Sequence, residues 1–448
     1  MARENFASGK TAIMAMAGSA IGLGNIWRFP YMVGQNGGAT FVLIYLFCVL
    51  LLCLPIFIAE STIGRCSGSN TFGAMAKLAP GTKWKWIGLL TVITPLIILS
   101  YYSVVGGWSV DYMLKSVISG FSSDAPEYFG RFTSSVWKPL IFHTIFLSLT
   151  CIIVLRGVKA GIEKFNKASL PLLFILIVAI AVYSMTLPGA SEGIAYMLKP
   201  DFSSLSARSF AYAMGQGFFS LSIGVGAILT YSSYMKKDES LIGSAAGTAI
   251  FDLMFAVIAG LAVMPAVFAA GIEPGAGPGL IFETLPYIFS QMAEEAPLLS
   301  RAVSICFFVT IVFAALTSSI SLVEVGVSYL AEEHGYSRRK AVLVIFSIAW
   351  TLGAVCSLSF GPLAGVKLFG LSAFSFCDVL TSNFLITFGS LLFVIFVGWK
   401  MDRELVRNEI TNGGTLPFAC RVFKPLYFMI RYVAPVVLVA IFLTNFML

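Results

Sequence analysis

Charge is scarce in this chain of 448 residues: Asp, Glu, Lys and Arg make up 11% of it, against 58% hydrophobic residues. A soluble domain carries about 25% charged residues and has too little interior to hide so many apolar side chains. The mean hydropathy of +0.89 agrees. A water-soluble fold is therefore excluded, and the surplus apolar surface must face lipid. Histidine is nearly absent. The two present, His143 and His334, are isolated in sequence, and a packing or loop role suits each better than a metal site. The 8 cysteines fall mostly inside apolar runs and none has CxxC spacing, which leaves them as small core residues. No small-residue cleavage site precedes Arg28, so the first apolar segment does not read as a cleaved signal peptide. No Ser/His, Cys/His or paired-acid motif sits on a common helix, and no ring-forming filter motif appears. An intramembrane enzyme and a channel are both disfavoured on those grounds.

Long apolar runs, such as 41–59, 140–155 and 433–446, are present instead. In lipid only helices and closed barrels satisfy their own backbone, and barrel strands alternate rather than run continuously. The fold class is therefore an all-α polytopic membrane protein. Segments long enough to cross fall at 12–35, 39–64, 86–118, 137–155, 164–187, 207–234, 241–270, 297–330, 339–357, 371–398 and 422–447. That predicts eleven transmembrane helices in one domain spanning 1–448. The net charge of +7 carries its meaning in position, not in affinity for nucleic acid. Lys and Arg crowd alternate connections, as at Lys83 and Lys85, Arg156 and Lys159, Lys236 and Lys237, and Arg338, Arg339 and Lys340. The connection 271–296 holds four Glu and no Lys or Arg. The positive-inside rule then places the N-terminus in the cytoplasm and the C-terminus outside.

Two segments are broken by glycine. The first contains Ile21-Gly-Leu-Gly24 and the sixth Ile223-Gly-Val-Gly226, in corresponding places of two five-helix halves, 1–187 and 207–398, with 422–447 left over. Each glycine weakens a helix by about 1 kcal/mol relative to Ala. Small residues also serve close helix packing. Two matching breaks flanked by hydroxyls or an amide favour a transporter site near the bilayer midplane. Unwinding frees carbonyls that suit a small hard cation and N–H groups that suit a carboxylate. Na⁺ together with a zwitterionic amino acid satisfies both. In the eighth segment Thr317 and Ser318 offer hydroxyls that either ligate a cation or bond back to their own helix. Asp252, inside the seventh, is a functional acid by default, with a protonated structural Asp or one near the cytoplasmic boundary as alternatives. Glu60, in the second, is placed to accept N–H groups freed in a broken helix.

The run GSAIGLGNIWRFP at 18–30 resembles the first-helix signature of the neurotransmitter:sodium symporter family. Further matches at 60–65, at 101–108 (YYSVVGGW), at 216–234, at 314–320 and at 337–340 extend the resemblance over essentially the whole chain. The resemblance implies the leucine-transporter-like 5+5 inverted repeat with broken helices 1 and 6, and two Na⁺ sites. One site would use the Ala20 carbonyl, Asn25, Ser220, Asp252 and the substrate carboxylate. The other would use the carbonyls of Gly18, Ile21 and Ala314 with the Thr317 and Ser318 hydroxyls. Asp252 departs from the family's commoner Asn, which implies that an anionic ligand replaces chloride. The substrate carboxylate would meet the backbone of Leu23 and Gly24 and the Tyr102 hydroxyl. Gly22 stands where monoamine carriers have Asp, which implies an amino-acid substrate. The amine would meet the carbonyls of Phe219 and Ser222. Ile98, Phe219, Ser222, Val225 and Leu322 would wall the side chain, with Ser220 and Ser318 alongside, and an apolar or aromatic side chain suits that wall.

The same resemblance implies an outer gate of Arg28, Gln216 and Asp378, and an inner one of Arg3 with Glu332, beside Phe6 and Tyr234. Gly161 and Pro171, at the start of the fifth helix, either loosen its cytoplasmic end or mark an ordinary helix start. The expectation is a Na⁺-coupled, chloride-independent symporter of hydrophobic amino acids in the inner (plasma) membrane. It would be a monomer or a weak homodimer, bound to no nucleic acid. A proton-coupled carrier on the same fold is the rival. The absence of a cysteine pair from the 119–136 loop resembles prokaryotic members.

Overall fold

The computed structural model describes residues 4–122, 124–204, 206–273 and 280–447. Arg3 lies outside them. The described residues hold helices of α, π and 3₁₀ type and no β-strand. Nine of these helices are long and apolar enough to cross a bilayer: Ala39–Ser67, Lys85–Ile118, Trp137–Leu155, Val158–Met185, Leu241–Ala269, Pro297–Glu333, Arg338–Leu358, Ala373–Lys400 and Pro417–Thr444. Each coincides with one of the apolar runs. The two remaining apolar segments are cut into pieces too short to span. The first runs as Gly9–Ala20, a π turn Gly24–Arg28 and Phe29–Gln35; the sixth runs as Ala207–Ser220 and Ala227–Ser232. These are the two segments with glycine pairs at their centres.

The helices are amphipathic in the inverse of the soluble sense. On Trp137–Leu155, Ile141, Ile145, Leu149 and Ile152 are exposed at helical spacing, while His143, Leu147, Thr150 and Cys151 are buried. An outward stripe that apolar has a stable partner only in lipid. Within Ala39–Ser67 the π turn Val49–Cys53 comes just before Pro55. Pro55 has no N–H for the carbonyl four residues back and its ring clashes there, so the winding loosens locally.

Lys85–Ile118 packs along Pro297–Glu333 and Arg338–Leu358, and Leu241–Ala269 packs against Val158–Met185. Between these walls the broken helices lie antiparallel. Gly9–Ala20 touches Ala227–Ser232, and Gly24–Arg28 touches Ala207–Ser220. At one end of the bundle Arg65, 2% exposed, ties three elements together. Its Nε donates to Glu409 Oε1 at 2.6 Å, and its other N–H groups reach Asn412 Oδ1 at 2.9 Å and the Glu239 and Glu409 carbonyls. A buried guanidinium is tolerated when its donors are this fully met.

Candidate functional site

The first break follows from three redirected N–H groups. Gly22 N–H donates to Asn25 Oδ1 at 3.0 Å, and Leu23 N–H points at Tyr102 Oη at 3.2 Å. Asn25 N–H closes a short turn on the Gly22 carbonyl at 3.1 Å. The carbonyls of Gly18, Ser19 and Ile21 thus lose the donors that an unbroken helix would supply. Hydroxyls from other segments meet two of them. The Ser19 carbonyl accepts from Ser222 Oγ at 2.9 Å and Ser318 Oγ at 3.1 Å, and the Ile21 carbonyl from Thr317 Oγ1 at 3.1 Å.

At the second break Gly224 and Gly226 have φ of 79° and 75°, and Ser222 has φ 53°. L-residues avoid that region, so the glycines permit the turn and Ser222 is strained in it. Glu60, fully buried, accepts from Gly224 N–H at 2.8 Å and Leu229 N–H at 3.2 Å. The acid thus replaces the acceptors that the broken helix has lost, the part expected of it.

Two oxygen clusters flank the breaks. In the first, Asn25 Nδ2 lies 3.0 Å from Ser220 Oγ and 2.7 Å from Asp252 Oδ1, and Ser220 Oγ donates to Asp252 Oδ1 at 2.7 Å. Tyr45 Oη donates to Asp252 Oδ2 at 3.2 Å. Asp252 is wholly buried among these groups. Sequence reasoning missed Tyr45. The available signal was a hydroxyl inside a run of lipid-compatible residues, since a buried Tyr O–H needs a partner. In the second cluster Thr317 Oγ1 bonds back to the Ala314 carbonyl at 2.9 Å as well as across to Ile21, and Ser318 Oγ reaches Ser19 and Ile21. Thr317 thus bonds back to its own helix and across to the first break, while Ser318 reaches across to it. Each cluster is made of hard oxygen donors whose hydroxyls can turn lone pairs toward a small cation.

A narrow cavity lies against both broken segments. Gly24, Ile98, Tyr102, Phe219, Ser222, Val225, Ser318 and Leu322 line it as expected of the substrate site; Ala20, expected as a cation ligand, Gly22, Ser19, Phe218 and Ile386 line it too, whereas the expected Leu23 and Ser220 are not among the lining residues. Gly22 has no room for a side chain. A Cβ there would stand 2.9 Å from Tyr102 Oη and closer still to Ser318 Oγ.

Of the expected gate residues, Gln216 Nε2 donates to the Gly24 carbonyl at 2.8 Å, and the Arg28 guanidinium lies 5.0 Å from the centre of the Phe219 ring that lines the cavity. Asp378 accepts from Ser382 Oγ at 2.8 Å, and no ion pair joins it to Arg28 among the described residues. At the other end Phe6 meets Tyr234 edge-on at 6.0 Å, and its N–H donates to the Tyr234 carbonyl at 3.0 Å. Glu332 accepts from Asn70 N–H at 2.9 Å and Asn70 Nδ2 at 3.0 Å, holding the residue whose side chain caps the helix Thr71–Leu78. Its expected partner Arg3 is outside the described residues. Sequence reasoning overlooked Glu324, which is fully buried, takes the Tyr234 hydroxyl at 2.8 Å and pairs with Arg338 at 2.6 Å.

Paired broken helices, two oxygen clusters and a cavity beside them define a class: a multi-pass, ion-coupled membrane carrier. The model of the "Sodium:neurotransmitter symporter family" matches residues 3–126 and 127–448. The chain is 36% identical over 435 residues to an uncharacterized sodium-dependent transporter, YhdH, of Bacillus subtilis, covering 96% of this chain and 95% of that one. It is 34% identical to an uncharacterized sodium-dependent transporter of Haemophilus influenzae, covering 99% and 98%. The crystal structure of MhsT in complex with L-phenylalanine superposes with TM-score 0.90 at 39% identity, covering 99% of this chain and 100% of that one. This protein belongs to the sodium:neurotransmitter symporter family and has its fold; it is a sodium-coupled transporter.

Proposed function

We propose that this protein carries hydrophobic and aromatic L-amino acids into the cell with Na⁺, by alternating access and without chloride. The cavity supports this reading. At its polar end the Leu23 N–H and Tyr102 hydroxyl converge, beside the Asn25–Ser220–Asp252 cluster. Its other walls are Ile98, Val225, Leu322 and Ile386, with no charged group among the lining residues. A carboxylate fits the first end and an apolar side chain the second. The structural relative that holds L-phenylalanine supports the same substrate class.

Two Na⁺ sites complete the reading. The first comprises Asn25, Ser220, Asp252, the Ala20 carbonyl and the substrate's own carboxylate. The second comprises the carbonyls of Gly18, Ile21 and Ala314 with Thr317 and Ser318. Na⁺ stabilises the form that receives substrate by neutralising Asp252, so its gradient drives the cycle through differential affinity for the two states. The helices form two inverted five-helix repeats, 1–187 and 207–398, plus 422–447. That makes eleven crossings, with the N-terminus cytoplasmic.

Uptake of labelled L-phenylalanine into proteoliposomes tests the proposal. An inward Na⁺ gradient should drive accumulation, gluconate should replace chloride without loss, and K⁺ or choline should abolish uptake. Uptake that persists in choline and follows an inward proton gradient would establish the proton-coupled rival instead.

A further inference from the structure

One polar side chain beside the second cluster has no part in the mechanism so far. Asn166 is fully buried near the start of Val158–Met185, and neither its Oδ1 nor its Nδ2 has a hydrogen-bond partner among the described residues. One turn further along that helix, the buried Ser169 hydroxyl is unpartnered too. The carboxamide is aimed at Gly18. A Cβ on Gly18 would lie 3.2 Å from Asn166 Nδ2 and would collide with Cγ and Oδ1. Gly18 sits one turn before Ile21, and the usual donor to its carbonyl, the Gly22 N–H, is turned to Asn25. A carboxamide without a partner therefore lies against the residue whose carbonyl has lost its usual helical donor.

Asn166 also lies near the end of its helix that the N-terminal segment covers. Its helix begins with the loosely wound turn Val158–Glu163. That turn is strapped to the N-terminal segment by three contacts. Val158 and Lys159 N–H donate to Glu4 Oε2 at 2.7 and 3.2 Å, and Ala7 N–H donates to Glu163 Oε2 at 3.1 Å. Releasing these contacts would uncover the first turns of the helix, and with them Asn166. An unpaired buried carboxamide is costly, and an apolar residue of similar size avoids that cost. Its place against a freed carbonyl fits a use that arises only during the cycle.

We propose that Asn166 is a relay ligand for Na⁺: its carboxamide oxygen, with the Gly18 carbonyl, receives the ion leaving the Thr317–Ser318 cluster and hands it toward the Val158–Glu163 turn. This inference rests on the Na⁺-coupled reading above. Asn166 contacts the ion on its way out and takes no part in the substrate site.

The test compares wild type with Asn166→Leu and Asn166→Asp in proteoliposomes, using labelled L-phenylalanine and ²²Na⁺. For Asn166→Leu, equilibrium L-phenylalanine binding in Na⁺ should stay within about threefold of wild type, while Na⁺-driven uptake and ²²Na⁺ release slow by roughly tenfold or more. Its melting temperature in detergent should equal or exceed that of wild type, because an unsatisfied polar group has been removed. Asn166→Asp should hold Na⁺ more tightly, lowering the half-saturating Na⁺ concentration while release stays slow. Wild-type uptake and release rates in Asn166→Leu would overturn the relay, as would binding lost in step with uptake or a lower melting temperature. Should wild type itself show no Na⁺-driven uptake, the function proposed above falls and the relay with it. Should wild type be Na⁺-driven and Asn166→Leu be unchanged, the relay alone falls.

Discussion

Asn25 Nδ2 and Asp252 Oδ1 stand 2.7 Å apart across 227 residues of chain, with Ser220 Oγ bonded to both side chains. The amide oxygen of Asn25 meanwhile accepts the Gly22 N–H that the first break sets free. One side chain thus joins the broken backbone of the first helix to the buried acid of the seventh. Anything that neutralises Asp252 therefore acts on the break itself.

The first prediction follows from that link. Asp252→Asn keeps the shape and removes the charge that a cation would meet. The half-saturating Na⁺ concentration for L-phenylalanine binding should rise roughly 10- to 100-fold, the size of a lost charge-assisted contact of about 1.5–3 kcal/mol. Chloride should recover part of the loss in the variant and do nothing in wild type. Titrating Na⁺ in chloride and in gluconate decides it. Unchanged Na⁺ dependence in Asp252→Asn would remove Asp252 from the cation site.

Gly22 provides the second. A methyl group there would crowd Tyr102 Oη, at 2.9 Å, and Ser318 Oγ at the polar end of the cavity. Gly22→Ala should weaken amino-acid binding by about 100-fold or more, since both hydroxyls must shift and the carboxylate position is filled. Its thermal unfolding should change much less than its binding, and equilibrium binding beside a melting curve checks both.

Much of this site was legible as residue types before any helix was placed. Glycine pairs in two segments marked the breaks, because glycine weakens helices wherever it falls. Glu60 and Asp252 declared themselves because acids are rare and costly in lipid. What the sequence hid was which face each helix turns inward. Tyr45, Ile386 and Asn166 sit in ordinary-looking runs, and only packing brings them to Asp252, the cavity and Gly18; Glu324, an acid inside the eighth segment, was open to the same rule and was passed over. At the expected outer gate the residues were likewise legible but not their partners: Arg28 lies over Phe219 and Asp378 takes the Ser382 hydroxyl.

A third prediction concerns substrate size. Val225 lines the apolar part of the cavity with Ile98, Leu322 and Ile386. Val225→Phe adds a ring where a large substrate side chain would lie. Binding of L-phenylalanine and L-tryptophan should weaken by roughly 10- to 100-fold while L-alanine and L-valine change by less than about threefold, since overfilling costs more than a lost methylene. Competition across the amino acids against one labelled ligand reads the shift. An equal loss for small and large substrates would place Val225 outside the side-chain pocket.

The last prediction separates scaffold from cargo. Glu60 touches no cavity-lining side chain in a hydrogen bond among the described residues; its oxygens take Gly224 N–H, within the second break, and Leu229 N–H, in the helix that follows it. Removing it leaves two buried donors with no water to turn to, at about 1–3 kcal/mol each. Glu60→Ala should therefore lower the melting temperature in detergent by roughly 5 °C or more. Glu60→Gln, which keeps one acceptor oxygen and presents an amide to the other N–H, should fall between. Excess Na⁺ and L-phenylalanine should recover part of the loss in both variants, because they bind only the folded carrier and stabilise it by mass action. If Glu60 were instead the proton site of the rival carrier, Glu60→Gln would melt like wild type and uptake would lose its pH dependence. The melting curves and a pH series of uptake on that one variant therefore choose between a structural acid and a transporting one.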